Sequence, residues 1–461
     1  MGLTLELAGF VADTRPNDVD DTALATAQLG FMDAIATAFA GAHEDASQKA
    51  LVFARRRSIL DSGMCTLPWL PDILPAPMAA LVFGTAAHAL DFDDVALSGH
   101  PSAVLVSAIL SEGLAERRSG RTCLEAYVVG YQVWAELFRR EPDPLHTKGW
   151  HPTAAYGVLA AAAALAYMRQ ASAPDTATTL AVAASLASGL VSNFGTMTKP
   201  LHAGRAACLA FEANEYTSLG LTASHDALEH RSGFLNAISP EGRADRLSAI
   251  SNGDAWQISR YGLCIKQYPV CYGSHRAIDA AIDLATAHDI QLDDVVRVGV
   301  GLGRSQLAML RNSQPKTGLE AKFSIQFAMA SALDRRSVSL SQLTDDYVNR
   351  SHIQAFYERV DTRCIEEPDP GDPTFSRYDE VEINLKDGRT LHSGEVLYPR
   401  GHAASPVSAE SLQNKFTDCL QRFATEHARD TGHEATLSAD ELFSKLTLIT
   451  SCEDVTSLFI Q

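Results

Sequence analysis

Between residues 22 and 221 the chain reads as one helix after another, and that succession limits the fold more than any other feature. Apolar residues recur at helical spacing over 23–40, 46–65, 78–90, 103–117, 123–139, 153–168, 176–191 and 204–219. Alanine dominates several of these runs; it loses no side-chain entropy in a helix and lets neighbouring helices approach closely. The runs 153–168 and 176–191 are small or apolar nearly all round, which predicts central, buried helices rather than amphipathic ones.

Past Gly262 the pattern changes. A helix is expected over 274–288, an alternating strand over 295–302, a helix over 319–333, and a hairpin over 378–396 that turns at Asp387-Gly388. Polar helices over 408–426 and 439–446 then return to the first domain. The expected fold class is mostly α, a large all-helical domain of residues 1–267 plus 399–461 with an inserted smaller α+β domain of residues 268–398.

A net charge of -18 argues against nucleic acid or an anionic membrane as partner, since both reward basic surfaces. It also makes any local gathering of Lys and Arg informative. The eight cysteines are scattered without a CxxC pair, so neither a zinc ribbon nor a disulfide framework is indicated. Residues 1–17 lack a basic region ahead of an apolar core, and the run 154–168 is too short to span a bilayer. The expectation is a cytoplasmic protein.

The most reactive-looking stretch runs from His88 to Ser102, HALDFDDVALSGHPS. Asp91, Asp93 and Asp94 crowd into four positions at the end of an apolar segment, where like charges persist only if cations, donors or water compensate them. His100 follows, just before a proline that biases it toward extended geometry. An imidazole beside carboxylates is a natural proton-transfer pair; caps and a surface turn histidine are the plainer reading.

Three further stretches carry chemistry. In GWHPT, His151 stands at a helix N-terminus, where free backbone N–H groups favour an anion. In NFGTMTKPLHAGR, Lys199, His202 and Arg205 are spaced to meet around one helix start; three cations there oppose the macrodipole unless an anion, a substrate carboxylate or Asp91 or Asp93, joins them. In IKQYPVCYGSH, Lys266 sits among apolar neighbours at the expected domain seam, with Cys271 and His275 close behind. The glycines of Gly299–Gly303 follow a strand but lack the helix and distal acid of a dinucleotide site. No HxxEH-type spacing supports a metal-dependent hydrolase.

Taken in order, HALDFDD with HPS, GWHPTAAYG, NFGTMTKPLHAGRAA, KQYPVCYGSHRAIDAA and TGLEAKFS resemble the MmgE/PrpD family. The resemblance implies a large helical domain, a small α/β lid, homodimerisation, and an active cleft between domains that needs no metal or organic cofactor. It carries over Asp91, His100, His151, Lys199 and Lys266 as catalytic residues, with His202, Arg205, Cys271 and His275 as substrate-binding neighbours. The family's chemistry, in 2-methylcitrate dehydratases, cis-aconitate decarboxylases and iminodisuccinate epimerases, makes or quenches a carbanion beside the carboxylates of a small polycarboxylic acid.

Departures bear on which reaction is expected. Val95 stands where the cis-aconitate decarboxylases have a threonine, and Cys271 where they have a histidine, so two polar handles are gone. The loop from Asp94 to His100 is shorter than in the methylcitrate dehydratases, and NFGTMTKP resembles the iminodisuccinate epimerase branch. The expectation is therefore a lyase, dehydratase or decarboxylase, acting on a small di- or tricarboxylate. The alternatives are an epimerase and a non-catalytic helical dimer that binds a metabolite.

Overall fold

A computed structural model describes residues 2–58, 63–251, 255–433 and 437–460. It is mostly helical, with one small mixed sheet in the C-terminal half, as the sequence predicts. Two compact units emerge: residues 1–190, 197–263 and 408–461 form the first, and residues 191–196 with 264–407 form the second.

The first unit begins with helices α1 (Leu3–Asp13), α2 (Asp21–Gly41) and α3 (Asp45–Arg57). A two-stranded ribbon of β1 (Met64–Thr66) and β2 (Ile73–Pro75) leads to α4 (Ala76–Ala89), α5 (Pro101–Glu116) and α6 (Gly120–Arg140). Next come α7 (Pro152–Ala155), α8 (Gly157–Met168), α9 (Ala173–Leu186) and α10 (Thr198–Ser218). Starts follow local chemistry: Asp20, Ser119 and Ser172 each accept a backbone N–H of the first turn. Among the described residues of the run 46–65, the helix stops at Arg57 and Met64 and Cys65 are in a strand, while the helix expected from residue 204 begins at Thr198.

Helices α4 and α10 approach unusually closely. A Cβ on Gly84 would lie 2.8 Å from the Gly204 Cα, and one on Gly204 would lie 2.1 Å from the Leu81 carbonyl oxygen. Only hydrogen fits there. This contact sets the first turns of α10, with Lys199 and His202, beside the end of α4, where the Asp-rich stretch starts.

In the second unit, α11 (His275–Ala287) precedes β3 (Val295–Gly303), and α12 (Ile325–Arg335) precedes β4 (Val360–Ile365), β5 (Glu380–Leu385) and β6 (Thr390–His392). The sheet order is β4-β3-β5-β6. Strand β4 runs parallel to β3, with Val298 opposite Val360; the other pairs are antiparallel, with Val300 opposite Val381 and Ile383 opposite Leu391. Val298, Val300 and Ile383 pack with Ile278 of α11 and Phe327 of α12 in a single core. The glycines 299, 301 and 303 lie inside β3 and make no phosphate loop. The chain then returns to the first unit as α13 (Ala409–Thr431) and α14 (Ala439–Thr447).

Candidate functional site

The segment between α4 and α5 is bent sharply. Asp91, Leu97 and Ser98 all have positive φ, at 52°, 50° and 60°. A leucine in that region is costly, so packing must hold it. The backbones of Ala96 and Gly99 exchange both hydrogen bonds, closing a two-residue turn over Leu97 and Ser98. The Leu97 carbonyl accepts from the Trp134 indole N–H, and the His100 N–H donates to Thr153 Oγ1. His100 then takes the N-cap position of α5 with φ -118° and ψ 77°, out of the helical region but short of the fully extended geometry expected before Pro101.

This bend solves the crowding of three carboxylates by giving each its own set of partner atoms. Asp91 Oδ2 lies 3.1 Å from Lys199 Nζ, and its Oδ1 lies 3.7 Å from His100 Nε2. Asp93 Oδ2 lies 3.1 Å from the other nitrogen of that ring, Nδ1, while Oδ1 accepts from His88 Nδ1 at 2.9 Å. Asp94 turns away to Ser102, whose Oγ also meets Tyr127 Oη at 2.7 Å. All three acids are buried.

Their charges differ accordingly. Burial alone would raise the Asp93 carboxyl, but the imidazoles of His88 and His100 overcome it and hold Asp93 well below the usual carboxylate range. Burial, then the charge of Asp33, pushes the Asp94 carboxyl well above that range. Burial outweighs Asp93 at His88 and pulls that ring down to about 3. His88 is thus a neutral imidazole that donates its Nδ1 proton to an ionised Asp93.

A second group of imidazoles adjoins the first. His151 caps α7, as its place in GWHPT predicts, with its N–H bonded to the Gly189 carbonyl. Its Nδ1 lies 3.1 Å from His202 Nδ1, and its ring stacks on His88 with centroids 5.9 Å apart. Burial, then Lys199, keeps His151 well below the usual imidazole range; burial, then His88 and Lys199, brings His202 down to about 4. His146, buried and subject to Lys199, is brought down to about 3.

The first unit therefore gathers Asp91, His100, His151, Lys199 and His202. It adds His88 and Asp93, which sequence reasoning left out of the candidate set although both stand in the Asp-rich stretch. Arg205 is a correction: it does not meet Lys199. Its guanidinium lies 3.2 Å from Glu212 and is partly exposed. Six residues along a helix advance 600°, which leaves Arg205 about 120° around from Lys199.

His88, Asp91, Asp93 and His100 each offer a donor atom, and these atoms lie within 4.8 Å of one another. Such spacing suits the ligands of a metal ion, but here the same side chains are engaged with one another. Asp91 and Asp93 address opposite nitrogens of the His100 ring, and Asp91 also holds Lys199. The arrangement is a chain of alternating bases and acids, Lys199–Asp91–His100–Asp93–His88.

In the second unit, Lys266 is fully buried and donates to the Val270 carbonyl at 3.1 Å; the His275 Nε2 lies 3.3 Å from the same oxygen. Cys271 is buried next to them, its N–H bonded to the carbonyl of Lys322. Tyr268 packs edge-on against His275 and donates to Asp279 at 2.5 Å. Lys322, from the TGLEAKFS stretch, is a second buried lysine, and it stands outside the candidate set.

Comparison with known proteins agrees with this layout. Residues 5–246 match the MmgE/PrpD N-terminal domain and residues 268–441 the MmgE/PrpD C-terminal domain. The cis-aconitate decarboxylase of Mus musculus is 29% identical over 431 residues, covering 90% of this chain and 86% of that protein. That of Homo sapiens is 27% identical over 430 residues, covering 90% and 87%. That of Aspergillus terreus is 24% identical over 441 residues, covering 90% and 88%.

Proposed function

The chain belongs to the MmgE/PrpD family, and we propose that it is a lyase that moves a proton at the carbon next to a carboxylate of a small di- or tricarboxylic acid. The observation that carries this reading is the Lys199–Asp91–His100–Asp93–His88 chain, in which one imidazole is flanked on both nitrogens by carboxylates. Such a ring is oriented and keeps a partner whether it has just taken a proton or just given one.

In the proposed reaction His100 takes the proton from the α-carbon, and the electron pair left behind moves into the adjacent carboxylate. Lys199 supplies fixed positive charge where that negative charge develops. In a dehydration the pair then expels a β-hydroxyl, which leaves as water with a proton from an acid group. In a decarboxylation no proton is taken first: the bond to carbon dioxide breaks, its electron pair stays on the carbon, and the acid group protonates that carbanion. The neutral His151–His202 pair is the proposed second proton handler. Lys266 enters as a further cation for the substrate on the family resemblance alone. Val95 and Cys271, both buried and without the polar atoms of the decarboxylases, point to an acid other than cis-aconitate.

An epimerase is the second reading, favoured by two separate imidazole centres, His100 and His151, whose rings lie 6.5 Å apart. One experiment separates these possibilities. The protein is incubated with citrate, 2-methylcitrate, cis-aconitate and iminodisuccinate in deuterated water and followed by NMR. A lyase yields an unsaturated or decarboxylated product, while an epimerase yields deuterium at the stereocentre with the skeleton intact. No exchange and no product with any of them at high enzyme concentration would sink both readings.

A further inference from the structure

Helix α13 carries an apolar face of Leu412, Phe416, Cys419, Leu420 and Phe423, with one charged residue, Lys415, in its midst. Helix α2 has the matching anomaly, Asp33, buried among Phe31, Met32, Ala34 and Ile35. Each explains the other, since Lys415 Nζ lies 2.6 Å from Asp33 Oδ1. Yet the ammonium makes a second bond that the pair does not require. It donates at 2.7 Å to the carbonyl of Phe92 and lies 4.1 Å from the centroid of the Phe92 ring.

Phe92 stands between Asp91 and Asp93. Its carbonyl belongs to the peptide that leads into Asp93, and the residue before it is the left-handed Asp91. A backbone bent that way persists only when its surroundings hold it, and a carbonyl and an aromatic ring fixed by one buried ammonium supply that hold. Burial, then the charge of Lys415, acts on Asp33 in opposite directions, and its carboxyl remains raised; the adjacent Asp94 carboxyl is raised too, by burial and then by the charge of Asp33. The start of the loop is thus held by two cations, Lys199 on Asp91 and Lys415 behind Phe92.

We infer that Lys415 is a positioning residue, whose grip on Phe92 sets Asp91 and Asp93 against the two nitrogens of His100. The inference rests on reading that chain as the proton-transfer centre, but its physical content concerns the loop and can be measured without a substrate.

The test is Lys415→Met in the full chain, followed by hydrogen–deuterium exchange mass spectrometry and by kinetics. Exchange in peptides covering residues 91–97 should rise by about tenfold or more while α4 and α5 keep their protection. A displacement of the relay by about 1 Å lowers kcat by about 10²-fold, with KM nearly unchanged because Lys199 stays in place. Lys415→Arg, which keeps charge and donors, should recover part of both. Normal loop protection in folded Lys415→Met, or a loss spread evenly over the helical unit, overturns the inference. If that variant does not fold, Asp33→Asn/Lys415→Met removes both charges together and still lacks the anchor; the same loop exchange is expected, and wild-type protection there overturns it. Should the wild-type protein act on no carboxylate, the proposed function falls while the exchange data still decide the role of Lys415.

Discussion

The Nδ1 atoms of His151 and His202 lie 3.1 Å apart, so only one of the two rings carries a proton at that position. Burial holds His151 well below the usual imidazole range and brings His202 down to about 4. Both rings are therefore neutral when folded, whereas in the unfolded chain they charge as pH falls through about 6.5. The unfolded state binds more protons, so stability drops as pH falls through 6.5 and levels off below the folded value. Replacing His202 by asparagine should remove one such proton. The difference in acid-limb slope is expected to reach about 1.4 kcal/mol per pH unit and to total about 3 kcal/mol between pH 6.5 and 4. Denaturant titrations of both proteins at several pH values measure it; equal slopes would show that His202 titrates normally.

Asp93 has a different task, because its two oxygens serve two rings. Replacing it by asparagine keeps the shape, but the amide nitrogen faces one imidazole and removes an acceptor from it. His100 then loses its orientation, and kcat is expected to fall by about 10²–10⁴-fold with little change in KM. His100→Ala should cost a similar factor, and the double variant no more than either alone, since the two act as a unit. Steady-state kinetics on the substrate identified by the exchange experiment provide the check. Multiplying losses in the double variant would mean that Asp93 acts independently of His100.

Much of this site is legible in the sequence, and the parts that are not have identifiable reasons. His100, His151 and Lys199 are visible because each breaks a local rule: a histidine before proline, a histidine at a helix start, a lysine where the macrodipole disfavours it. His88 is hidden because it closes an apolar helix and looks like a core residue, and only the bend at Asp91 brings it back to Asp93. Arg205 misleads because spacing in sequence was read without rotation. Strand β4 escaped notice since only Val360 and Ile365, at its ends, are buried, so it lacks the alternation that marks a half-buried strand. Lys415 gave no signal as chemistry, because its partners lie 323 and 382 residues away.

Lys199 stabilises as well as positions. Its ammonium is buried against Asp91, and removing one member of a buried pair leaves the other uncompensated. Lys199→Met is expected to cost about 3–5 kcal/mol in unfolding free energy, most of it recovered when Asp91→Asn is added. The same charge helps depress His88, His146, His151 and His202, in each case after burial. The His202 titration followed by NMR should therefore move upward in Lys199→Met. A stable single variant with an unmoved His202 would show that the charge lies elsewhere.

The close approach of α4 and α10 offers the sharpest structural test, because it links packing directly to the site. A methyl group at position 204 would sit 2.1 Å from the Leu81 carbonyl oxygen and 2.5 Å from Thr85 Oγ1. The first of these is backbone of α4 and cannot rotate away, so α10 must shift as a body. Gly204→Ala is expected to destabilise the protein by about 1–3 kcal/mol, the usual range for overpacking. The shift also carries Lys199, one and a half turns earlier, away from Asp91, and a misplacement of about 1 Å costs about 10²-fold in kcat. Gly9→Ala, where nothing lies within 4 Å of the added methyl, is the control that should leave both quantities near wild type. If Gly204→Ala lowers stability but leaves turnover intact, Lys199 does not depend on the α4–α10 contact for its position.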